Sequence, residues 1–350
     1  MASYILKRLL LMIPTLFGIL LVTFAIAQFV PGGPVEQLVD QLRGEGVTKG
    51  EVSSSSSMFR GRKGIDDAKL QEIKALYGFD KPAAERFWTM LKGFARLDLG
   101  KSFFYNKDVW ALIKEKLPVS ISLGLWSFFL TYMVSIPLGI KKAVQHGSNF
   151  DVLTSTLILI GYAIPGFVLG VALLVLFGGG SFFQLFPLRG LTGDNWQQLS
   201  LVGKVLDYFW HLALPLTCLV VGSFAVTTML TKNTVLEEVR KQYVSVARAK
   251  GLDERMIMYK HVFRNALIPI VTGFPAAFVG AFFTGSLLIE TLFSLDGLGL
   301  LSYDAVIKRD YPVVMGTLFM FSLIGLVAKL LNDLCYIWVD PRVQFGDLAR

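Results

Sequence analysis

A chain of 350 residues that is 53% hydrophobic and only 17% charged is not an ordinary soluble domain, where about a quarter of residues carry charge. Its net charge of +8 would suit a nucleic-acid binder, but the Lys and Arg residues gather beside long apolar runs. That is the pattern of a polytopic membrane protein, and nucleic acid is excluded as a partner.

The first apolar run is Leu9–Val30. A transmembrane helix needs about 20 mostly apolar residues. Lys7, Arg8 and Ala25-Ile26-Ala27 also permit a cleaved signal peptide, but the run exceeds the roughly 7–15 residues of a signal core. It is expected to remain as a span, so that residues 1–30 form a tail and first helix. The segment 31–116 then lies outside the cytoplasm. Within it, 43–64 (RGEGVTKGEVSSSSSMFRGRKG) is too rich in Gly, Ser and charge to bury a core, and a mobile insertion is expected. From Ile65, Leu70, Ile73 and Leu76 fall near one face of an amphipathic helix stopping near Gly78. Phe87, Met90, Leu91 and Phe94 predict a second helix, and the two would form a small periplasmic cap. Gly100-Lys101-Ser102 is not a phosphate-binding loop, because Ala95 stands where its first glycine is needed.

Residues 117–350 predict five further spans, Leu117–Ile140, Val152–Gly178, His211–Thr231, Ala266–Ile289 and Val313–Leu331. The expected fold is therefore all-α, with six transmembrane helices. Spans three and five hold Gly161, Pro165, Gly166, Gly170, Gly273, Pro275, Gly280 and Gly285, which suit either close packing or a moving pathway. Tyr162, Ser223, Thr227, Thr284 and Ser286 are polar candidates for the pathway wall, although such groups are also satisfied by neighbouring helices or their own backbone. No Asp, Glu, Lys or Arg falls in the middle of a predicted span. Glu290 is placed at an external end, and Lys329 and Asp333 are spaced to pair at the end of span six. This argues against proton coupling and against a charged-ring channel. His146, His211 and His261 lack metal-ligand spacing, and Cys218 and Cys335 read as small buried hydrophobes. No catalytic constellation is visible.

Lys7, Arg8, Lys141, Lys142 and the basic loop 232–265 place both termini and that loop in the cytoplasm. The loop carries the most information. Glu237–Lys250 favours a helix, with Tyr243, Val246, Ala247 and Lys250 near one face. Ser245, Ala247, Ala249 and Gly251 let another surface come near, and Gly251 is a natural stop after Arg248 and Lys250. Asp253 caps a second helix, Leu252 and Ile257 occupy staple positions, and Met256, Tyr259 and Phe263 give that helix an apolar edge. Two short helices at an angle suit a docking element better than one lipid-bound surface helix.

Val246-Ala247-Arg248-Ala249-Lys250-Gly251 and His261-Val262-Phe263-Arg264-Asn265-Ala266-Leu267-Ile268-Pro269 resemble the EAA loop of ABC-importer permeases of the dipeptide/oligopeptide class. Ile5–Pro14, Pro31-Gly32-Gly33-Pro34, Asp98-Leu99-Gly100-Lys101-Ser102-Phe103, Leu117-Pro118 and Phe283–Glu290 extend the likeness. So do Gly297-Leu298-Gly299, Arg309-Asp310-Tyr311-Pro312-Val313 and Asp340-Pro341-Arg342. The Ser-rich insertion and Phe186-Pro187-Leu188-Arg189-Gly190 most resemble the Yej-type branch, whose cargo is peptides and microcin C. Leu295-Asp296 replaces a usual Trp-Pro, and Ser245 stands at the Glu of the EAA name.

The resemblance implies a type I importer permease fold in the bacterial inner membrane. It implies a second homologous permease, two ATP-binding-cassette ATPase domains, a periplasmic peptide-binding protein and a peptide substrate. ATP and magnesium would sit on the ATPases, and this chain would bind no cofactor or metal. Tyr243, Ser245, Ala247, Arg248, Ala249, Lys250, Gly251 and Asp253 would form the ATPase-coupling site. The alternatives are an ion-coupled transporter, which would need embedded titratable groups, and an envelope assembly protein.

Overall fold

A computed structural model describes residues 2–29, 80–178, 182–283 and 287–339. Among the described residues the fold is helical, and the one extended pairing is an isolated bridge between Lys101 and Asp108. The expected insertion 43–64 and the helix predicted from Ile65 lie outside the described residues.

The apolar first run forms α1 (Ala2–Phe29). The next predicted helix is present as α2 (Ala83–Phe94), which buries Phe87 and Phe94. α3 (Val109–Val144) follows without interruption despite Pro118 and Pro137. α4 (Asn149–Ala163) is capped by the Ser148 hydroxyl, which accepts the Asp151 amide at 3.3 Å. It ends where Pro165 forces Ile164 into an extended conformation. α5 (Gly166–Leu173) continues through a π turn to Gly178, and this stretch lies at 91° to α4. The third predicted span is thus a bent pair and not one straight helix.

α6 (Leu201–Val239) is capped by Ser200. α7 (Gln242–Ala249) and α8 (Glu254–Ala266, with a π stretch over Ile257–Val262) come next. α9 (Ile268–Phe283) departs from α8 at 47°. α10 (Leu287–Leu292), α11 (Leu298–Ile307) and α12 (Tyr311–Val339) complete the described chain. Among the described residues, α1, α3, α6 and α12 are each long and apolar enough to cross a membrane, and the number rises to six if each bent pair is one span.

The chain divides into two compact units, one of Met1–Arg8, Lys116–Leu301 and Ile324–Arg350, the other of Leu9–Glu115 and Ser302–Leu323. In the second unit Phe87 packs on Phe17 and Phe24, and Phe94 lies 5.0 Å from Phe319. Two of the motifs quoted above meet here. Asp310 is fully buried, and its carboxylate accepts the Ser102 hydroxyl and the Phe103 amide, the latter at 3.1 Å. Gly100-Lys101-Ser102 is therefore part of a structural turn. Asp310→Ala leaves those donors without their acceptor and is expected to cost about 2–4 kcal/mol. The thermal midpoint in detergent should fall accordingly, and far less for Ser102→Ala. Equal midpoints for Asp310→Ala and the parent would refute this account of the turn.

A buried cluster of the first unit consists of Leu123, Leu212, Leu214, Leu216, Cys218, Ile289, Phe293 and Leu295. Helices of this unit approach one another closely. A β-carbon on Gly170 would stand 2.6 Å from Leu292, and one on Gly139 2.6 Å from Thr231. The structure gives two of the charged residues their partners in this unit. Asp333 pairs with Arg8 at 3.0 Å and accepts the Tyr4 hydroxyl at 3.0 Å, so its partner comes from α1 and not from Lys329. Glu290 is fully buried, and its carboxylate takes the Leu300 amide at 2.7 Å, tying α10 to the first turn of α11.

Candidate functional site

The loop between α6 and α9 folds as two helices, as its punctuation predicts. α7 stops because Gly251 adopts φ +74°, which only glycine takes without strain. The Gly251 amide then bonds the Arg248 carbonyl at 2.9 Å and the Leu252 amide bonds the Ala247 carbonyl at 3.3 Å, the paired closure of a helix C-terminus. Asp253 accepts the Arg255 amide at 3.1 Å and starts α8. Arg248 and Glu254 form an ion pair across the corner, which raises the Arg248 pKa further.

Beneath the corner lies a second buried cluster of Ala143, Val235, Val244, Ala247, Ile257, Val262 and Ala266. Val244, Ile257 and Val262 have no exposed surface, and each contributes up to about 1.5–3 kcal/mol to holding the corner. Tyr243 braces it. Its hydroxyl donates to the Glu238 carboxylate at 2.6 Å and accepts from the Asn265 amide at 3.2 Å. Burial, then the bond to Glu238, raises the Tyr243 pKa.

The residues expected near one face of α7 divide between buried and exposed. Val244 and Ala247 point inward, whereas Val246 and Lys250 are exposed. The phase is set by packing on Ala143 of α3 and Val235 of α6, which periodicity within the loop does not register. Among the expected coupling residues, Ser245, Arg248, Ala249, Lys250, Gly251 and Asp253 form an exposed surface, while Tyr243 is half-buried and Ala247 buried. Val246, Leu252, Met256 and Tyr259 add exposed apolar area to the same corner, Tyr259 with 74% of its surface free.

The expected pathway residues are less tightly grouped. Tyr162 is exposed on α4, and Ser223 is exposed on α6. Thr227, one turn beyond Ser223, spends its hydroxyl on the Ser223 carbonyl at 3.0 Å. α4 and α6 meet where Gly161 faces Val221. Thr284 and Ser286 lie outside the described residues.

The structure also assembles a polar cluster that spacing does not reveal. Lys142 near the end of α3, Asp151 in the first turn of α4 and Lys232 near the end of α6 are all buried. The Lys232 ammonium donates to both Asp151 oxygens, at 2.7 and 2.8 Å. The Lys142 ammonium lies 3.1 Å from the same carboxylate, and His146 Nδ1 and the Gly147 amide also approach it at 3.2 and 3.1 Å. These ionisable groups lie inside helices near their ends, where sequence reads them as flanking charges.

Comparison with known proteins gives a consistent result. Residues 135–345 match the family described as binding-protein-dependent transport system inner membrane component. The chain is 55% identical, over 99% of both chains, to the peptidoglycan transport system permease protein YejB of Agrobacterium fabrum. It is 51% identical, again over 99% of both, to the inner membrane ABC transporter permease protein YejB of Escherichia coli O157:H7. The dipeptide transport system permease protein DppB of Escherichia coli K12 is 32% identical over 98% of this chain and 99% of that one.

Proposed function

This chain belongs to the family of binding-protein-dependent transport system inner membrane components, and on that premise we propose that it imports oligopeptides or peptide-like compounds by ATP-driven alternating access. It is the permease subunit of an ABC importer, a non-catalytic, multi-pass inner-membrane protein. The rest is our reading. Six spans, with α4–α5 counted as one and α9 crossing while α8 stays at the membrane face, put both termini and the α7–α8 corner in the cytoplasm. A second, homologous permease completes the pathway, and two ATPase domains carrying ATP and magnesium dock on α7–α8. A periplasmic binding protein delivers the cargo to a helical cap that includes α2.

The observation that supports this reading most is the α7–α8 corner. It is rigid beneath, where Val244, Ile257 and Val262 are buried, and presents small and basic residues outward at Ser245, Arg248, Ala249 and Lys250. A firmly held corner can pass a push from a docked ATPase into α6 and α9. Tyr162, Ser223, Thr227, Thr284 and Ser286 remain our candidates for the pathway wall.

A second cargo reading has specific support, since one 55%-identical relative is named for peptidoglycan transport. Fragments of peptidoglycan are peptide-like, so both readings use one pathway. The test is uptake into proteoliposomes holding this permease, its partner permease, the ATPases and the binding protein, with ATP and no ion gradient. Labelled oligopeptide and labelled peptidoglycan fragment are compared. Accumulation that requires ATP is expected. Uptake driven by an ion gradient without ATP would overturn the reading.

A further inference from the structure

We propose that the Asp151–Lys232 ion pair is a releasable latch that positions the root of the α7–α8 corner and makes ATP hydrolysis depend on cargo. The inference rests on the proposed function and adds to it a pair of positioning residues.

The two lysines hold Asp151 in different ways. The Lys142 ammonium donates to the Asp151 carbonyl at 2.9 Å, to Thr154 Oγ1 at 2.6 Å and to Ser155 Oγ at 2.8 Å. An ammonium has three donors, so Lys142 is fully engaged by the first turns of α4. It ties α3 to α4 whether or not Lys232 is present. The Lys232 ammonium, by contrast, binds both oxygens of the Asp151 carboxylate. Lys232 is on α6, which leads through Arg240 and Lys241 directly into α7. One ion pair therefore joins the helix that feeds the corner to the α3–α4 pair.

Removing one member of a buried pair is usually costly because it strands a charge. Here the charge is not stranded. If Lys232 withdraws, Asp151 keeps Lys142 at 3.1 Å, the Gly147 amide at 3.1 Å and His146 Nδ1 at 3.2 Å. The Lys232 side chain is not fully sealed, with 11% of it exposed against none for Lys142. Both the latched and the released arrangement are electrostatically provided for. An element with two such arrangements can be biased from a distant site. A push on α7 pulls on Lys232, and the pair resists until the push is large enough.

The experiment uses the reconstituted complex and counts ATP hydrolysed per labelled peptide imported, together with hydrolysis in the absence of peptide. Lys232→Met and Asp151→Asn are each expected to raise ATP per peptide at least about fivefold, the lower end of site-to-site coupling, with the ATPases still bound. Lys232→Arg keeps the pair and should stay near the parent value. The latch is overturned if Lys232→Met and Asp151→Asn match the parent ratio, if Lys232→Arg uncouples as strongly as Lys232→Met, or if neither of the first two assembles. Absence of ATP-driven uptake by the parent complex would instead strike the proposed function itself.

Discussion

Gly251→Trp is expected to abolish most ATP-driven uptake and ATPase association, while Gly251→Ala retains most of both. The contrast isolates docking from folding. Gly251 has φ +74°, so any side chain there carries a backbone cost of about 1–2 kcal/mol, the same for alanine as for tryptophan. Within the chain itself there is room, since a β-carbon at Gly251 meets nothing within 4 Å. The two variants differ only in what they project outward beside Ala249 and Lys250. If an ATPase surface seats against that corner, the indole must be accommodated at the interface. Overpacking of that kind costs about 1–3 kcal/mol, or roughly 5- to 150-fold in association. Co-purification of the ATPase subunits and uptake by proteoliposomes measure the two effects. Normal association and uptake with Gly251→Trp would show that the corner is not a docking surface. Equal damage by alanine would show that backbone strain alone is responsible.

The second large effect is expected at Gly124, where the consequence is loss of the folded chain. A β-carbon at this position would lie inside the Ala281 carbonyl group, so α3 and α9 touch backbone to backbone. No rotamer change relieves such a clash, because the obstructing atoms belong to the main chain. Gly124→Ala should cost at least about 3 kcal/mol, the upper end of ordinary overpacking, and Gly124→Leu should leave little protein recoverable in detergent. Gly273 and Gly280, on the same α9, meet nothing within 4 Å. Gly273→Ala and Gly280→Ala should therefore stay within about 0.5 kcal/mol of the parent. Thermal midpoints in detergent report all three. A midpoint for Gly124→Ala equal to that of Gly280→Ala would contradict the close crossing.

The same glycines show where local reading stops. Gly161, Gly166, Gly170, Gly273 and Gly280 were equivalent as small residues in apolar runs. In the fold Gly161, Gly166 and Gly170 face close neighbours, whereas Gly273 and Gly280 face open space. Gly124, which makes a tighter approach than any of these, and Gly139, which matches Gly170, have no distinguishing local pattern. Which glycine lies at a crossing depends on how two distant helices are laid together, and no local spacing encodes that.

By itself the sequence determined the apolar helices and the two-helix corner punctuated by Gly251 and Asp253, but not the sharp bend at Ile164-Pro165 within the third apolar run. These follow from side-chain hydrophobicity and from backbone preferences acting over a few residues. It also carried the family resemblance across the chain. The tertiary structure decided the phase of α7, turning Val244 inward and leaving Val246 exposed, because Ala143 and Val235 supply the surface it packs on. It decided that Asp333 pairs with Arg8, and that Asp310 anchors the turn at Ser102 and Phe103. It also gathered Lys142, Asp151 and Lys232, which in sequence look like charges at three separate helix ends. A buried charge must find its partner wherever the fold brings one, so such pairings span tens to hundreds of residues and become visible only when the chain is folded.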